Sequence, residues 1–217
     1  GLTFTANSDL AFWGKEAFQG HYEGFRIVDI AAPAKPKQVS FTECFGNQGD
    51  VVVWGDILVR SWNSPATGTG SSQLSCDGEP VPLGWEGLHI FDISDKTKPV
   101  LVGDVELSAR PEADMPGCGS HTATLVPDVE NGRVLVYNQT SGGNAALPPG
   151  MTECNWLDII EVPLDDPGAA SFLHREPLEG GHAAHDSGVI LGDVNLLAVA
   201  SGHMSNVFSI GPPRGGT

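Results

Sequence analysis

The sequence is short of basic residues, of helical periodicity and of long apolar runs. Lys and Arg total 11 against 27 Asp and Glu, a formal charge of −16. A field of that sign repels phosphate backbones and anionic bilayers, which excludes nucleic acid as a partner. No apolar run approaches the roughly 20 residues of a membrane-spanning helix. No stretch of a dozen residues combines apolar positions at helical spacing with freedom from Gly and Pro, so the mostly helical classes are excluded. There is no Cys-x-x-Cys pair, and with it go the zinc ribbon and the thioredoxin-type site. There is no Gly-x-Ser-x-Gly elbow. The glycine-rich Gly68-Thr-Gly-Ser-Ser72 has neither the lysine nor the following helix of a phosphate loop.

What the sequence has in quantity is punctuation and apolar strand signals. Gly (28) and Pro (16) make up about one residue in five of the 217, and hydrophobic residues 40%, enough for a packed core. Four short segments resemble one another: Phe25-Arg-Ile-Val-Asp-Ile30, Leu88-His-Ile-Phe-Asp-Ile93, Leu157-Asp-Ile-Ile-Glu-Val162 and Val207-Phe-Ser-Ile210. Their markers Asp29, Asp92 and Glu161 are spaced 63 and 69 apart, with Ser209 another 48 on. Around each marker the same order of strand signals recurs. In the second unit it reads Val51–Trp54, a Gly55-Asp56 turn, Ile57–Trp62, a long Gly/Ser/Pro loop, Leu88–Ile93, a Lys/Pro turn, and Val100 to about Leu107.

A four-stranded meander with a period above 40 residues predicts an all-β fold, a β-propeller of four-stranded antiparallel blades. A β-sandwich also has many short strands, but it does not explain the repeated register. The units are read as one partial propeller with blades at 1–46 (strands two to four), 47–108, 119–178 and an incomplete 182–217. Asp9–Trp13 is taken as the second strand of the first blade. About three and a half blades are thus expected. Either the chain is a piece of a six- or seven-bladed ring, closed by the remainder of the same polypeptide or by another subunit, or residues 1–5 pair with the last blade.

Ile27-Val-Asp-Ile30 with Pro33 and Pro36, and Ile90-Phe-Asp-Ile-Ser94 with Pro99, resemble the LVIVD repeat. The resemblance implies an exported or surface propeller and leaves activity open. Four cysteines, Cys44, Cys76, Cys118 and Cys154, on an acidic chain fit a secreted, cell-surface or periplasmic protein with up to two disulfides. The expected pairing joins Cys76 to Cys118 or Cys154. Gly1-Leu2-Thr3-Phe4 is no signal peptide, so a mature or trimmed chain is expected.

Propeller topology places the loops between strands two and three, and the blade-to-blade connections, on one face, here the top. All four cysteines and five of the seven histidines map there. His121, His182, His185 and Asp186, with His203 in reach by its loop, are candidate ligands for a divalent metal at the mouth of the central channel. Imidazole and carboxylate suit zinc, manganese or iron, while calcium would favour the carboxylates. In the competing reading these groups hydrogen-bond across blades and lock the ring. Trp85 and Trp156, each just before a third strand, are candidates for stacking on a ligand, with packing as the alternative. Catalytic residues are not assigned. The expected function is a binding scaffold for a protein or surface glycan partner, acting through the top loops 63–85 and 139–155. The alternative is a metal-dependent hydrolase or oxidoreductase working through the histidine cluster.

Overall fold

The marker aspartates of the repeat earn their place locally. Asp29 Oδ1 accepts the Ala31 N–H at 2.8 Å and Asp92 Oδ1 the Ser94 N–H at 2.8 Å. Each carboxylate thereby closes an Asx turn that ends the third strand of its blade. The bond to Ser94 holds the Asp92 carboxyl below the usual carboxylate range. The first hairpin turn of three blades is built on Gly14, Gly55 and Gly132, all at φ between 59° and 69°, where a side chain would be strained.

The computed structural model describes residues 6–45, 48–70, 73–108, 118–140, 154–178, 183–192, 195–201 and 204–210. Blade 1 consists of β1 (Asn7–Trp13), β2 (Glu16–His21), β3 (Gly24–Asp29) and β4 (Lys37–Glu43), paired in that order. Blade 2 consists of β5 (Val51–Trp54), β6 (Ile57–Trp62), β9 (Gly87–Asp92) and β10 (Val100–Glu106). A small ribbon, β7 (Ser75–Cys76) with β8 (Glu79–Pro80), lies in its long loop. Blade 3 is β11 (Thr122–Asp128), β12 (Arg133–Gln139), β13 (Trp156–Pro163) and β14 (Ser171–Pro177). Blade 4 has three strands, β15 (Ala184–Ile190), β16 (Leu196–Ser201) and β17 (Met204–Ser209).

The all-β propeller expectation therefore holds, with one correction. Asp9–Trp13 lies in the innermost strand of the first blade, because Asn7–Trp13 pairs with Glu16–His21 and so completes four strands. Among the described residues, three blades have four strands and the fourth has three. Residues 1–5, the expected closing strand, lie outside the described residues.

The inner strands follow one another around the axis, β1 beside β5, β5 beside β11 and β11 beside β15. Between successive blades lies an apolar layer: Phe18, Phe25, Ile27, Leu58, Trp62 and Phe91 between the first two, Val59, Leu88, Ile90, Val134, Val136 and Ile160 between the next two, and Leu135, Tyr137, Leu157, Leu197 and Val199 between the last two. A blade offers two apolar faces and can bury neither alone, so this stacking is what makes the meander stable. Each fully buried aliphatic or aromatic side chain in these layers contributes roughly 1.5–3 kcal/mol. Trp13 of blade 1 meets Trp54 of blade 2 with ring centroids 5.0 Å apart.

Both disulfides follow one rule and correct the expected pairing. Cys44, leaving blade 1, bonds Cys76 in the long loop of blade 2, and Cys118, entering blade 3, bonds Cys154 in the long loop of that blade. Each long loop is stapled to the connection that enters its own blade. The Cys–Cys separations of 32 and 36 residues are the same arrangement copied from blade to blade.

Candidate functional site

Each inner strand opens with one dipeptide position: Ser8-Asp9, Gly49-Asp50, His121-Thr122 and His185-Asp186. The strands converge at the axis, so these dipeptides gather at the channel mouth. The ends are laced together by polar contacts between blades. Ser8 Oγ donates to Gly49 O. The Ala123 N–H donates to Asp50 Oδ2 at 2.8 Å, and Ser61 Oγ donates to His121 O at 2.9 Å. Thr122 Oγ1 donates to His185 O at 2.7 Å, and Gln139 Nε2 donates to Ser187 Oγ at 2.6 Å. Thr124 and Ser187 add a further contact at 2.7 Å. Hydrogen bonding across blades, the competing reading of this rim, is thus present.

It does not use up the imidazoles. His121 Nε2 and His185 Nε2 face each other at 3.2 Å, with ring centroids 4.7 Å apart. His121 Nδ1 lies 3.0 Å from Asn63 Oδ1, an acceptor, which assigns the His121 proton to Nδ1 and leaves a lone pair on Nε2. Two nitrogens about 2.05 Å from one ion at a tetrahedral angle lie about 3.3 Å apart, so the observed spacing suits two ligands of one metal. Without an ion, His185 Nε2–H donates to His121. Burial, then the neighbouring His185, hold the His121 pKa below its ordinary value against an upward pull from Asp186. His121 therefore stays neutral and able to ligate near pH 7.

Carboxylates complete the rim. Asp186 is exposed and its Oδ1 accepts the Ser187 N–H at 2.7 Å. Asp50 is pushed up to about 9, first by burial and then by its hydrogen bond to Asp9, with Asp9 and Asp186 repelling its charge. It holds a proton that Asp9 accepts. The sequence reading missed Asp9, Asp50 and Asn63, although the repeated dipeptide position was the signal that finds the first two.

The candidate ligands thus divide. His121, His185 and Asp186 come together at the mouth, while His182 and His203 lie outside the described residues. The four cysteines are disulfide-bonded. Cys44, Cys76 and His89 cluster closely, but sulfurs bonded to each other are not thiolate ligands, so that cluster is not a metal centre. Trp156 and Trp85 are 4% and 5% exposed. Trp156 lies beneath the Arg175 guanidinium at 4.4 Å, and Trp85 packs on Trp62 and on His89. Packing accounts for Trp156; the remaining edge of Trp85 borders a cleft. Asn138, in a glycosylation triplet, is fully buried and its Nδ2 donates to Gly119 O at 3.0 Å, so it is no acceptor for a glycan.

Four radiating antiparallel sheets with an apolar layer between neighbours define a β-propeller. One of its repeats is an LVIVD repeat, matched over residues 81–106, the stretch from the end of the long loop of blade 2 through β9 to β10. No curated protein matches the chain. Among solved structures, the chain is similar to the computationally designed Ika4 protein at 12% identity and a TM-score of 0.48, covering 96% of this chain and 94% of that one. It is also similar to the computationally designed Ika8 protein at 9% identity and a TM-score of 0.38, covering 94% and 71%. Two disulfides are consistent with an extracellular or periplasmic location, and among the described residues no helix is long and apolar enough to cross a membrane.

Proposed function

We propose that this protein is an exported binding scaffold whose working site is the top of the central channel, organised by one divalent transition metal. The observation that carries this reading is the His121–His185 contact. Two imidazole nitrogens from adjacent blades stand at ligand spacing, one of them with its tautomer fixed by Asn63. A hydrogen-bond acceptor on the far ring nitrogen is the usual partner of a metal-bound histidine. Asp186 supplies a carboxylate beside them. Two nitrogen donors favour zinc over calcium, which takes oxygen ligands. The ion would join blades 3 and 4, and it would offer open coordination positions to a partner approaching the top loops.

Isothermal titration of chelator-treated protein with zinc and with calcium tests the reading. Zinc is expected to bind at one site per chain, with calcium silent. Asn63→Ala should weaken zinc by about 10- to 100-fold, and a His121→Gln, His185→Gln double variant should abolish binding. Zinc heat unchanged in the double variant, or no zinc heat in the parent, overturns the proposal.

A further inference from the structure

The two ends of the blade stack expose the same kind of surface that its junctions bury. At the junction of blades 1 and 2, the row Val53–Leu58–Phe91 of blade 2 faces blade 1, and Leu58 and Phe91 are fully buried there. Aligned through the Gly14 and Gly55 turns and the Asp29 and Asp92 markers, blade 1 carries Phe12–Ala17–Val28 at the same positions. Its opposite face, with Phe18, Phe25 and Ile27, is already covered by blade 2. The outward row is open instead: Phe12 is 62% exposed, and Leu10 and Phe41 on the same face are exposed as well.

Blade 4 shows the converse. At the junction of blades 2 and 3, the paired residues Val59 and Ile90 of blade 2 face blade 3 and are fully buried. Counted from the markers Asp92 and Ser209, their equivalents in blade 4 are Ala198 and Val207, which pair in the same register, with Gly188 continuing the row on the inner strand. Leu197 and Val199 turn the other way and are buried against blade 3. Strand alternation therefore leaves Ala198, Ala200, Val207 and Ile190 pointing outward, and Val207 and Ile190 are 65% and 67% exposed. The solvent face of an antiparallel sheet is normally polar. This one is apolar, and its centre is small, whereas the outward face of blade 1 is bulky.

We propose that these end faces are the two halves of one further junction, formed between two copies of this chain: blade 4 of one copy stacks on blade 1 of the other. Blade 4 offers the face that elsewhere receives the next blade, and blade 1 offers the face that elsewhere rests on the blade before it, so a second copy supplies the half that each end needs. In the internal junctions the second strand of one blade lies beside the inner strand of the next, β2 beside β5 and β12 beside β15. The same stacking sets β16 of one copy beside β1 of the other, with Phe12 over the small Ala198. The two faces also carry opposite charges, Arg26 in register between Gln19 and Phe41 on blade 1 and Asp186 opposite Ala200 on blade 4. Two copies related by a two-fold axis along the channel cover both ends of each other, so assembly stops at a dimer of eight blades, about the upper end of the common range. The junction does not involve the histidine pair, and it stands or falls without the metal.

Size-exclusion chromatography with light scattering, in chelator and at roughly 10 µM chain, tests this. The parent is expected at twice the 22.8 kDa of one chain. Ala198→Arg on the blade 4 face and Phe12→Asp on the blade 1 face should each weaken the dimer by at least about 100-fold and run at the mass of one chain. Both positions are exposed, and an unchanged circular dichroism spectrum confirms that each variant folds. An equimolar mixture of the two variants keeps one junction intact and sets the arginine and the aspartate on facing strands at the other, so the dimer is expected to return. Single-chain mass for the parent assigns the two faces to another occupant, such as further blades of a longer polypeptide, and overturns the proposal. A dimer that neither substitution weakens, or a mixture that stays at single-chain mass, overturns it as well.

Discussion

Blade 2 and blade 3 share a backbone and distribute their polar groups in opposite ways. Each has a disulfide from its entering connection to its long loop. Each places a large tryptophan just ahead of or at the start of the third strand. Yet the row Asn138–Asp158–Arg175 in blade 3 reads Arg60–His89–Asp104 in blade 2. Blade 3 neutralises its buried carboxylate internally with a bidentate arginine. Blade 2 instead buries a cation. Arg60 is fully buried, donating to Gly24 O at 3.3 Å, His21 O at 3.0 Å and Ser61 O at 3.1 Å, and burial lowers its pKa to about 9. The guanidinium packs against Gly49, where any side chain would collide with it. The pattern of apolar layers requires neither row, since the layers on both sides are complete. The polar rows are thus where the two copies of the repeat differ most.

The staples give the sharpest contrast. Chain-entropy reasoning gives about 4 kcal/mol to either disulfide, because loops of 32 and 36 residues close at nearly the same entropic cost. Their surroundings differ. Cys44 and Cys76 are fully buried within the main apolar layer of blades 1 and 2, and Cys44 Sγ lies 3.7 Å from Arg60 Nη1, whereas Cys118 and Cys154 form a small cluster with Trp156. The Cys44→Ala, Cys76→Ala variant should therefore lose about 1–2 kcal/mol more than Cys118→Ala, Cys154→Ala in urea denaturation, the excess being lost packing. An equal or reversed order would show that the two staples do the same work.

The charged rows should separate next. Arg175→Ala leaves Asp158, which is fully buried, without its counter-charge and should cost about 3–5 kcal/mol at pH 8. The loss should be smaller at pH 5, because burial already raises the Asp158 pKa against the pull of Arg175, and without the arginine the carboxyl rises further and escapes by taking a proton. Denaturation midpoints at the two pH values check this, and an undiminished loss at pH 5 would show that Asp158 stays ionised without its arginine.

The blades were legible in the sequence because their signals are local. The Asp29 and Asp92 turns, the Gly55-Asp56 hairpin and the alternation of β6 and β9 each lie within a few residues, and each gave strands at the observed places. Asp9–Trp13 was shifted by one strand because a short segment of mixed exposure looks alike on either side of a hairpin. The rim was half legible. His121 and His185 stood out as residue types at a strand start, but Asn63 comes from the long loop of another blade, and no spacing rule connects residues 58 positions apart. The cysteine pairing was missed for the opposite reason. It was visible as a repeat of two similar separations, 32 and 36 residues, but adjacent long loops offered a plausible contact that the blade geometry does not make. The equivalence of the polar rows needed register, since only the pairing of β9 with β10 sets Asp104 opposite His89 as Arg175 is set opposite Asp158.

The smallest expected difference concerns pH. Glu86 and Asn155 are equivalent residues just before the third strand, where the Glu86 carbonyl accepts the Leu107 N–H and the Asn155 carbonyl accepts the Leu178 N–H, each at 2.7 Å. Glu86 is 4% exposed, and burial raises its carboxyl from 4.5 to about 7. The folded chain therefore holds this proton more tightly than the unfolded one. Below about pH 4.5 both states are protonated and the group has no effect. As pH rises from there to about 7 the unfolded chain ionises first, so stability falls, and above 7 the loss is complete. Glutamine is isosteric with the protonated acid and does not titrate, so Glu86→Gln should match the parent at pH 4 and exceed it by roughly 2 kcal/mol at pH 8. Blade 3 already has the amide at this position, and Asn155→Asp should leave the pH profile nearly unchanged because that side chain is only half-buried. If Glu86→Gln were instead destabilising at pH 8, the ionised carboxylate would have a donor in the folded protein, and blade 2 would be as well neutralised internally as blade 3.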